Sequence, residues 1–281
     1  MINKPIVMEI DENTYAINEF GLDTMFIIVG KSSALVIDTG MGCFDFKALI
    51  ESITDLPYKV VLTHGHLDHL GGIDQFTEVY LHPNDLYKID SASKIEREKS
   101  CLRLYGLEGD KDVWDFSLVN PREWENRPTI IPLEDGMEFD LGDHKIVAIF
   151  TPGHSKGGMC FLDKKSRILF SGDECNQNIL VTDCSVETEL NSMLHLKQYE
   201  SYFDRNFNGH LGFSSGLTHI SMPKSTLDDI IIACQRIIDG KANPVSISKS
   251  PRYPNEMVAT YLYGAISLTY RINLIYQKDE K

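Results

Sequence analysis

The chain has 281 residues, 42% of them hydrophobic, and a formal net charge of −14. A chain of this size can bury a sizeable core and form one large α/β domain or two small ones. The negative charge argues against polyanionic partners, because proteins that bind nucleic acids usually present a basic face. Residues 1–5 lack the apolar stretch of a secretory signal, and no apolar run approaches the length of a membrane span.

The six cysteines are scattered along the chain and form no C-x-x-C pair. In a chain of this length, that spacing predicts free thiols in a reducing cytoplasm. We therefore expect a cytoplasmic protein whose partner is a small-molecule substrate, without nucleic acid or membrane. The sequence leaves a homodimer open.

The first third of the chain consists mainly of short apolar runs separated by glycine-containing turns. Such runs are typical of strands. A tight turn at 38–42 follows the third of them, and a helix is predicted after it, ended by Pro57. The predicted strands are 15–18, 25–29, 34–37, 60–62 and 79–81, and the predicted helix is 44–53.

Residues 84–128 differ in composition from the segments on either side. They are rich in charge, and the apolar spacing over 85–104 predicts a helix. We interpret the segment as an insertion of helix and loop over the sheet. It either covers an apolar face or shapes the substrate pocket, since long loops are often functional.

From residue 129 onwards, strand patterns bounded by Gly, Pro or Asp return and are followed by helices. Similar groups of strands and helices in both halves suggest two α/β halves that face each other. The predicted strands are 129–133, 137–141, 145–150, 159–162 and 167–170, the helices are 186–203 and 225–238, and a β-rich tail covers about 245–281.

Four candidate metal ligands fall within six residues of the segment T-H-G-H-L-D-H: His64, His66, Asp68 and His69. Neutral imidazole and carboxylate are ligands that a zinc-type cation takes from proteins. The apolar, β-branched run before them predicts a strand, so the ligands lie on a loop where a rigid scaffold brings side chains together. The two histidines His64 and His66 alternate on an extended stretch and therefore point the same way.

Further polar motifs follow strands in a fixed order: I-D-T-G with Asp38, the histidine motif, T-P-G-H-S with His154, S-G-D with Asp173, and a late histidine. In these motifs the chain resembles the metallo-β-lactamase superfamily of hydrolases, from about residue 14 to 240. The resemblance implies an α/β (α+β) fold, a four-layer αββα sandwich with metals at one edge between the sheets. It also implies a single domain over 1–281.

The same resemblance implies two divalent metal ions. Zinc is favoured, with iron or manganese as alternatives. Asp38 is expected to orient a histidine and not to bind a metal. The implied ligands are His64, His66 and His154 on the first metal, Asp68, His69 and a late histidine on the second, and Asp173 as the bridge.

Two histidines compete for the last ligand position. The segment that ends in Gly209-His210 resembles the family's strand ending in G-H, whereas His219 lies closer to the following helix. We favour His210. The histidines outside the motifs are expected to be structural or solvent-exposed; they are His82, His144 and His195.

These residues predict a dinuclear hydrolase in which two metals about 3.5–4 Å apart share a bridging hydroxide. The hydroxide attacks an ester, lactone, thioester, amide or phosphoester. Asp68 is the expected catalytic residue, because it orients the hydroxide and passes its proton to the leaving group. A mononuclear iron-dependent persulfide dioxygenase is the alternative, since histidine and aspartate also suit iron(II).

Overall fold

A computed structural model of the chain describes residues 4–108, 114–115, 117, 119–210 and 221–277. Its strands are β1 (Ile6–Asp11), β2 (Thr14–Glu19), β3 (Asp23–Val29), β4 (Ala34–Ile37), β5 (Tyr58–Val61), β6 (Glu78–Leu81), β7 (Thr129–Pro132), β8 (Glu138–Asp140), β9 (Lys145–Phe150), β10 (Met159–Asp163), β11 (Ile168–Gly172), β12 (Asn178–Val181), β13 (Arg205–Asn208), β14 (Ser246–Lys249), β15 (Met257–Tyr263) and β16 (Ile266–Arg271). Its helices are α1 (Phe46–Ile53), α2 (Leu67–Leu70), α3 (Leu86–Ile89), α4 (Lys94–Glu108), α5 (Val186–Lys197) and α6 (Thr226–Ile238). Short 3₁₀ helices cover Ile73–Gln75, Pro83–Asp85 and Glu200–Tyr202.

Two of the sheets form the centre of the molecule. The first contains β1 to β7 in chain order, antiparallel up to β4 and parallel from β4 onwards. The second has the order β13-β11-β10-β9-β8 and is antiparallel except for the pair β11 and β13. Strands β5 and β11 both end at residues that lead into predicted ligand loops.

The alternation of side chains along β9 shows how the layers are built. Ile146 and Ala148 lie in the core between the two sheets, and Val147 and Ile149 lie in a core against α5 and α6. Successive strand residues point to opposite faces, so one strand serves both cores. A third core packs α1 against the outer face of the first sheet. The layers follow the order helix, sheet, sheet, helix, which confirms the predicted αββα sandwich.

A third sheet of order β12-β16-β15-β14 lies against α5 and α6. The predicted β-rich tail supplies three of its strands. Strand β12 was not predicted, because four residues with two buried side chains give little local pattern. It pairs in parallel with β16, where Ile179 lies opposite Leu268. This pairing joins segments that are far apart in the sequence.

The helix predicted over 186–203 is wrong in its C-terminal part, because α5 ends at Lys197. The amides of Gln198 and Tyr199 donate to carbonyls three residues earlier, at His195 and Leu196. This tighter 3₁₀ pattern ends an α-helix. The chain then continues into the 3₁₀ helix Glu200–Tyr202.

The segment predicted as an insertion at 84–128 connects the parallel neighbours β6 and β7. It contains α3 and α4. Its anchor is Arg97, which is 1% exposed and donates to the carbonyls of Met41, Gly71 and Arg122. The carbonyls of Met41 and Gly71 belong to loops beside the ligand motifs, so these two bonds fasten the segment next to the site, whereas the bond to Arg122 lies within the segment.

All six cysteines lie in the described part of the chain and are free thiols, as predicted. Among the residues that the structure describes, no helix combines the length and the apolar character needed to cross a membrane. Nothing in the fold tests the prediction of a single domain over 1–281, which stays a prediction.

The third sheet leads to a stability prediction. Leu268 on β16 is fully buried against α5 and α6, whereas Leu262 on β15 is 53% exposed. We expect Leu268→Ala to lower the free energy of unfolding by about 2–5 kcal/mol, because it leaves a cavity in a packed core. The matched substitution Leu262→Ala should change it by less than about 0.5 kcal/mol. Urea unfolding measures both, and equal small losses would contradict the packing described here.

Candidate metal centre

Three predicted ligands meet at the edge between the two sheets. His64 Nε2 lies 2.9 Å from His66 Nδ1, and His154 Nε2 lies 2.9 Å from the same atom. Two of these residues follow β5 and the third follows β9, so separate sheets deliver them to one place. The geometry therefore brings together the three residues predicted for the first metal.

The hydrogen-bond partners of the ring nitrogens that face away from this cluster determine which nitrogen of each ring carries the proton. His154 Nδ1 is 3.0 Å from the carbonyl oxygen of Leu180, which can only accept, so this nitrogen donates. His64 Nδ1 is 3.1 Å from Thr63 Oγ1, whose own hydroxyl donates to Asp38. Both Nε2 atoms are thereby left with lone pairs that point at the common centre.

His66 is held from the opposite side by Asp183, whose Oδ2 is 3.6 Å from His66 Nε2. The ammonium of Lys88 lies 2.9 Å from the same ring nitrogen and 2.8 Å from Asp183 Oδ2. Arg252 Nη1 and the Tyr253 hydroxyl each donate to Asp183 Oδ1 at 2.9 Å. Asp183 is thus a buried carboxylate that ties a predicted ligand to the loop before β15.

The second group of predicted ligands lies beside the first. His69 Nε2 is 3.9 Å from Asp68 Oδ2 and 3.7 Å from Asp173 Oδ1. His210 Nε2 lies 3.7 Å from Asp68 Oδ2 and 2.9 Å from Asp173 Oδ2. Asp173 Oδ2 is also 3.4 Å from His154 Nε2, so this carboxylate lies between the two groups.

The environment gives the two groups opposite electrostatic character. Burial, together with the neighbouring histidines, lowers the pKa of His64 well below its ordinary value, which keeps that ring neutral. Burial opposes charge on His69 as well, but the carboxylates of Asp38, Asp68 and Asp173 raise its pKa to about 10. Burial would also raise the pKa of Asp173, yet His210 and His69 hold it below its ordinary value. The second group therefore attracts positive charge.

Asp38 takes the orienting position expected for it. Its carboxylate accepts from Thr63 N at 2.7 Å and Thr63 Oγ1 at 2.8 Å, and lies 2.9 Å from His69 Nδ1. Its φ of 64° lies in the left-handed region, which turns the chain sharply after β4. His69 then presents Nε2 to the second group.

Gly153, directly before His154, is required because two segments pack closely at this point. It lies outside the positive-φ glycines of the described chain, but the position of its missing Cβ is filled by the carboxyl group of Glu189 on α5. Glu189 is fully buried, and its two side-chain oxygens have no hydrogen-bond partner among the described residues. Burial raises its pKa well above the ordinary value, so the group is neutral. Glycine lets the His154 loop pack directly onto α5.

His210 directs Nδ1 to the carbonyl oxygen of Leu22 at 3.2 Å, which leaves Nε2 for the second group. Its rival His219 lies outside the described residues.

The histidines expected to be structural or solvent-exposed have partners within the protein: His82 stacks on Phe150, His144 lies 2.6 Å from Asp163, and His195 lies 3.3 Å from Asp135.

Sequence reasoning missed Asp183 and Lys88. Neither belongs to a motif, and the two residues, which bond each other, lie 95 positions apart in the chain. It also missed Asp85, whose carboxylate accepts from the amides of Gly65 and Gly157 and so joins two ligand loops. Asp85 stands at the start of α3, where aspartate is common, so its position in the sequence did not mark it as part of the site.

The centre opens into a cleft of about 1470 Å³. Typical small-molecule sites measure about 300–1,000 Å³, so this cleft suits a long ligand. One wall is α4, and another is the third sheet with the loop at 250–253. Predicted ligands at the floor include His66, Asp68 and Asp173.

The side chains fit metal ions. The lone pairs of His64 Nε2 and His154 Nε2 both point at His66 Nδ1, and one proton on that atom can bond only one of them, whereas a cation among the three nitrogens can bind all three. In the second group, His69 Nε2 and Asp173 Oδ1 are buried without a hydrogen-bond partner in the described chain. Buried polar atoms normally have partners, and nitrogen and oxygen donors in this number are what zinc-type ions bind.

Solved structures with similar folds include the inverting sec-alkylsulfatase Pisa1 from a Pseudomonas species, with a TM-score of 0.56 and 14% identity over 84% of this chain and 43% of that one. The metallo-beta-lactamase from Pontibacter korlensis gives a TM-score of 0.55 and 17% identity, over 82% of this chain and 98% of that one. At these identities the similarity concerns the fold.

Curated relatives include the acyl-coenzyme A thioesterase MBLAC2 of Bos taurus, 29% identical over 161 residues, or 53% of this chain and 57% of that protein. Another is the atrochrysone carboxyl ACP thioesterase nsrC of Aspergillus novofumigatus, 26% identical over 208 residues, or 72% of this chain and 52% of that protein. The chain thus spans little more than half the length of these relatives. The model of the metallo-beta-lactamase superfamily matches residues 20–198, well over half of the chain, and the chain therefore belongs to that superfamily.

Proposed function

We propose that this protein is a metal-dependent thioester hydrolase with a two-metal centre. The observation that carries the proposal is the convergence of two adjacent ligand groups that share Asp173. The thioesterases among the relatives favour a thioester over the other electrophiles considered above. A thioester also places a modest demand on the site, because a thiol with a pKa of about 8.5 is a good leaving group.

The proposed ligands are those predicted from the sequence, with zinc as the favoured metal. Bound there, divalent cations would supply an acidified water and polarise the thioester carbonyl. The rings of His154, His69 and His210 are fixed in orientation by the hydrogen bonds that their Nδ1 atoms donate to Leu180, Asp38 and Leu22 respectively.

Asp68 is the proposed proton carrier. Its carboxylate lines the cleft, and its Oδ2 lies 3.7 Å from His210 Nε2 and 3.9 Å from His69 Nε2. From there it orients the attacking water and accepts its proton at a carboxylate oxygen. It then returns the proton to the departing thiolate.

No cysteine of the chain is needed as a nucleophile. Cys175 lies two residues from Asp173, but burial raises the pKa of its thiol, so the reactive thiolate is not formed. Cys184 is subject to the same effect. Attack by water is therefore the direct route.

The proposed function predicts a specific loss of activity. In chelator-stripped protein reloaded with zinc, Asp68→Ala should lower kcat for thioester hydrolysis by about 10²–10⁴-fold, because proton transfer is lost. Cys175→Ala is the control and should retain most activity. The assay follows thiol release from acyl thioesters, alongside lactone, β-lactam and phosphodiester substrates. Oxygen uptake with glutathione persulfide that requires iron(II), without hydrolysis of any substrate, would favour the dioxygenase alternative instead.

A second prediction concerns Asp183. We expect Asp183→Asn to weaken binding of the first metal by about 10–100-fold, because the amide holds His66 less well than the carboxylate does. Metal content after dialysis against graded chelator measures this without any activity. Asp204→Asn, which alters an exposed carboxylate paired with Arg167, is the control. Unchanged metal retention in Asp183→Asn would remove this residue from the site.

A third prediction concerns the last ligand position, for which His210 and His219 compete. His210→Ala should reduce bound metal from about two equivalents to about one, since the second group loses a nitrogen donor. His219→Ala should leave both equivalents in place. Elemental analysis of the two purified variants decides the matter, and loss of metal in His219→Ala alone would reverse the assignment.

A further inference from the structure

The cleft offers three chemically different surfaces. The predicted metal ligands form its floor, hydroxyl groups of the third sheet line one wall, and charged residues of α4 line another. On the third sheet, the hydroxyls of Thr260 and Thr269 lie 2.9 Å apart, and Ser248 lines the same cleft. A wall of hydroxyls suits a neutral, amide-bearing chain.

From α4, Lys99 and Arg103 line the cleft together with one carboxylate, Glu96, so this wall has a net positive charge although the chain as a whole is acidic. Lys99 and Arg103 both line the cleft, and their spacing of four residues puts them on one face of the helix. Lys99 Nζ is paired with Glu96 at 2.6 Å. Arg103 is exposed, and its side chain has no ion pair or hydrogen bond with the residues that the structure describes. The Arg103 side chain, which lines the cleft, is therefore available to a ligand.

The chemistry of a guanidinium indicates what that ligand carries. Its planar fork matches the oxygens of a phosphate in a bidentate geometry, and such charge-assisted bonds are about twice as strong as neutral ones. Ser100, on the same helix, lines the cleft beside it and adds a hydroxyl donor. Arg103 and Ser100 are not among the predicted metal ligands, so an anion bound by them leaves the floor free for the thioester.

We infer that the substrate is a thioester whose thiol portion ends in phosphate, as in an acyl-coenzyme A, and that Arg103 with Lys99 binds this phosphate. The inference rests on the proposed thioester hydrolysis. The three surfaces then match three parts of one molecule: the thioester at the metals, the amide-bearing arm on the hydroxyl wall, and the phosphate on α4. A substrate with these three parts is long, which also accounts for the cleft volume of about 1470 Å³.

The experiment compares acyl-coenzyme A with the corresponding acyl-pantetheine, which has the same arm but lacks the phosphates and the adenosine, and variants of Arg103 assign the difference to phosphate. We expect kcat/KM to be higher for acyl-coenzyme A, and we expect this preference to fall by about tenfold in Arg103→Gln, mainly through KM, since one charge-assisted contact is lost. Arg103→Lys should recover part of it. Arg127→Gln is the matched control, because Arg127 is an exposed arginine outside the cleft lining, paired with Asp90.

A binding measurement separates this inference from the proposed function. Calorimetry with coenzyme A and metal-stripped protein should show binding that Arg103→Gln weakens and Arg127→Gln does not. If thioesters are hydrolysed but both substrates react alike, the phosphate site is wrong and the hydrolase stands. If the enzyme instead prefers pantetheine thioesters whose acyl group carries a carboxylate, the cationic side chains bind the acyl group, and the proposed phosphate site is wrong. If no thioester is hydrolysed, the proposed function fails, and the absence of coenzyme A binding would then overturn the inference as well.

Discussion

The carboxylate of Asp38 is the contact on which the arrangement of the site depends. It holds the backbone and hydroxyl of Thr63, at the end of β5, and the ring of His69, on α2. These contacts set the positions of His64 and His69 relative to the first sheet. Because the Thr63 hydroxyl donates to Asp38, it must accept from His64, which settles the tautomer of that ring. One buried acid thus orients a member of each ligand group.

The centre is electrostatically costly without a cation. Imidazole lone pairs converge in one group, and buried carboxylates crowd the other. Folding energy from three hydrophobic cores must hold these groups together against their repulsion. Functional sites of this kind keep stored strain and polar atoms without partners, which a bound ion relieves.

The part of the chain after residue 198, beyond the region that the family model matches, contributes to the site itself. His210 comes from the loop after β13, and Arg252 and Tyr253 hold the carboxylate that backs His66. The third sheet also supplies a wall of the cleft. The matched region therefore supplies all the predicted ligands except His210, whereas the segment after it supplies His210, two partners of Asp183 and a wall of the cleft. This division explains how one centre can serve different substrates on one fold.

The sequence by itself determined the ligand motifs, the fold class and most of the element boundaries. Metal ligands in H-x-H-x-D-H lie close together in the chain, and strands with regular alternation carry their own local pattern. The tertiary structure alone decided that Asp183, Leu180 and Leu22 hold the rings, that Glu189 fills the space beside Gly153, and that β12 joins β16. Each of these contacts joins distant segments, and no local periodicity records which distant residues will meet. For the same reason, the role of Lys99 and Arg103 on α4 could not be inferred from the sequence, because it depends on the cleft that these side chains line.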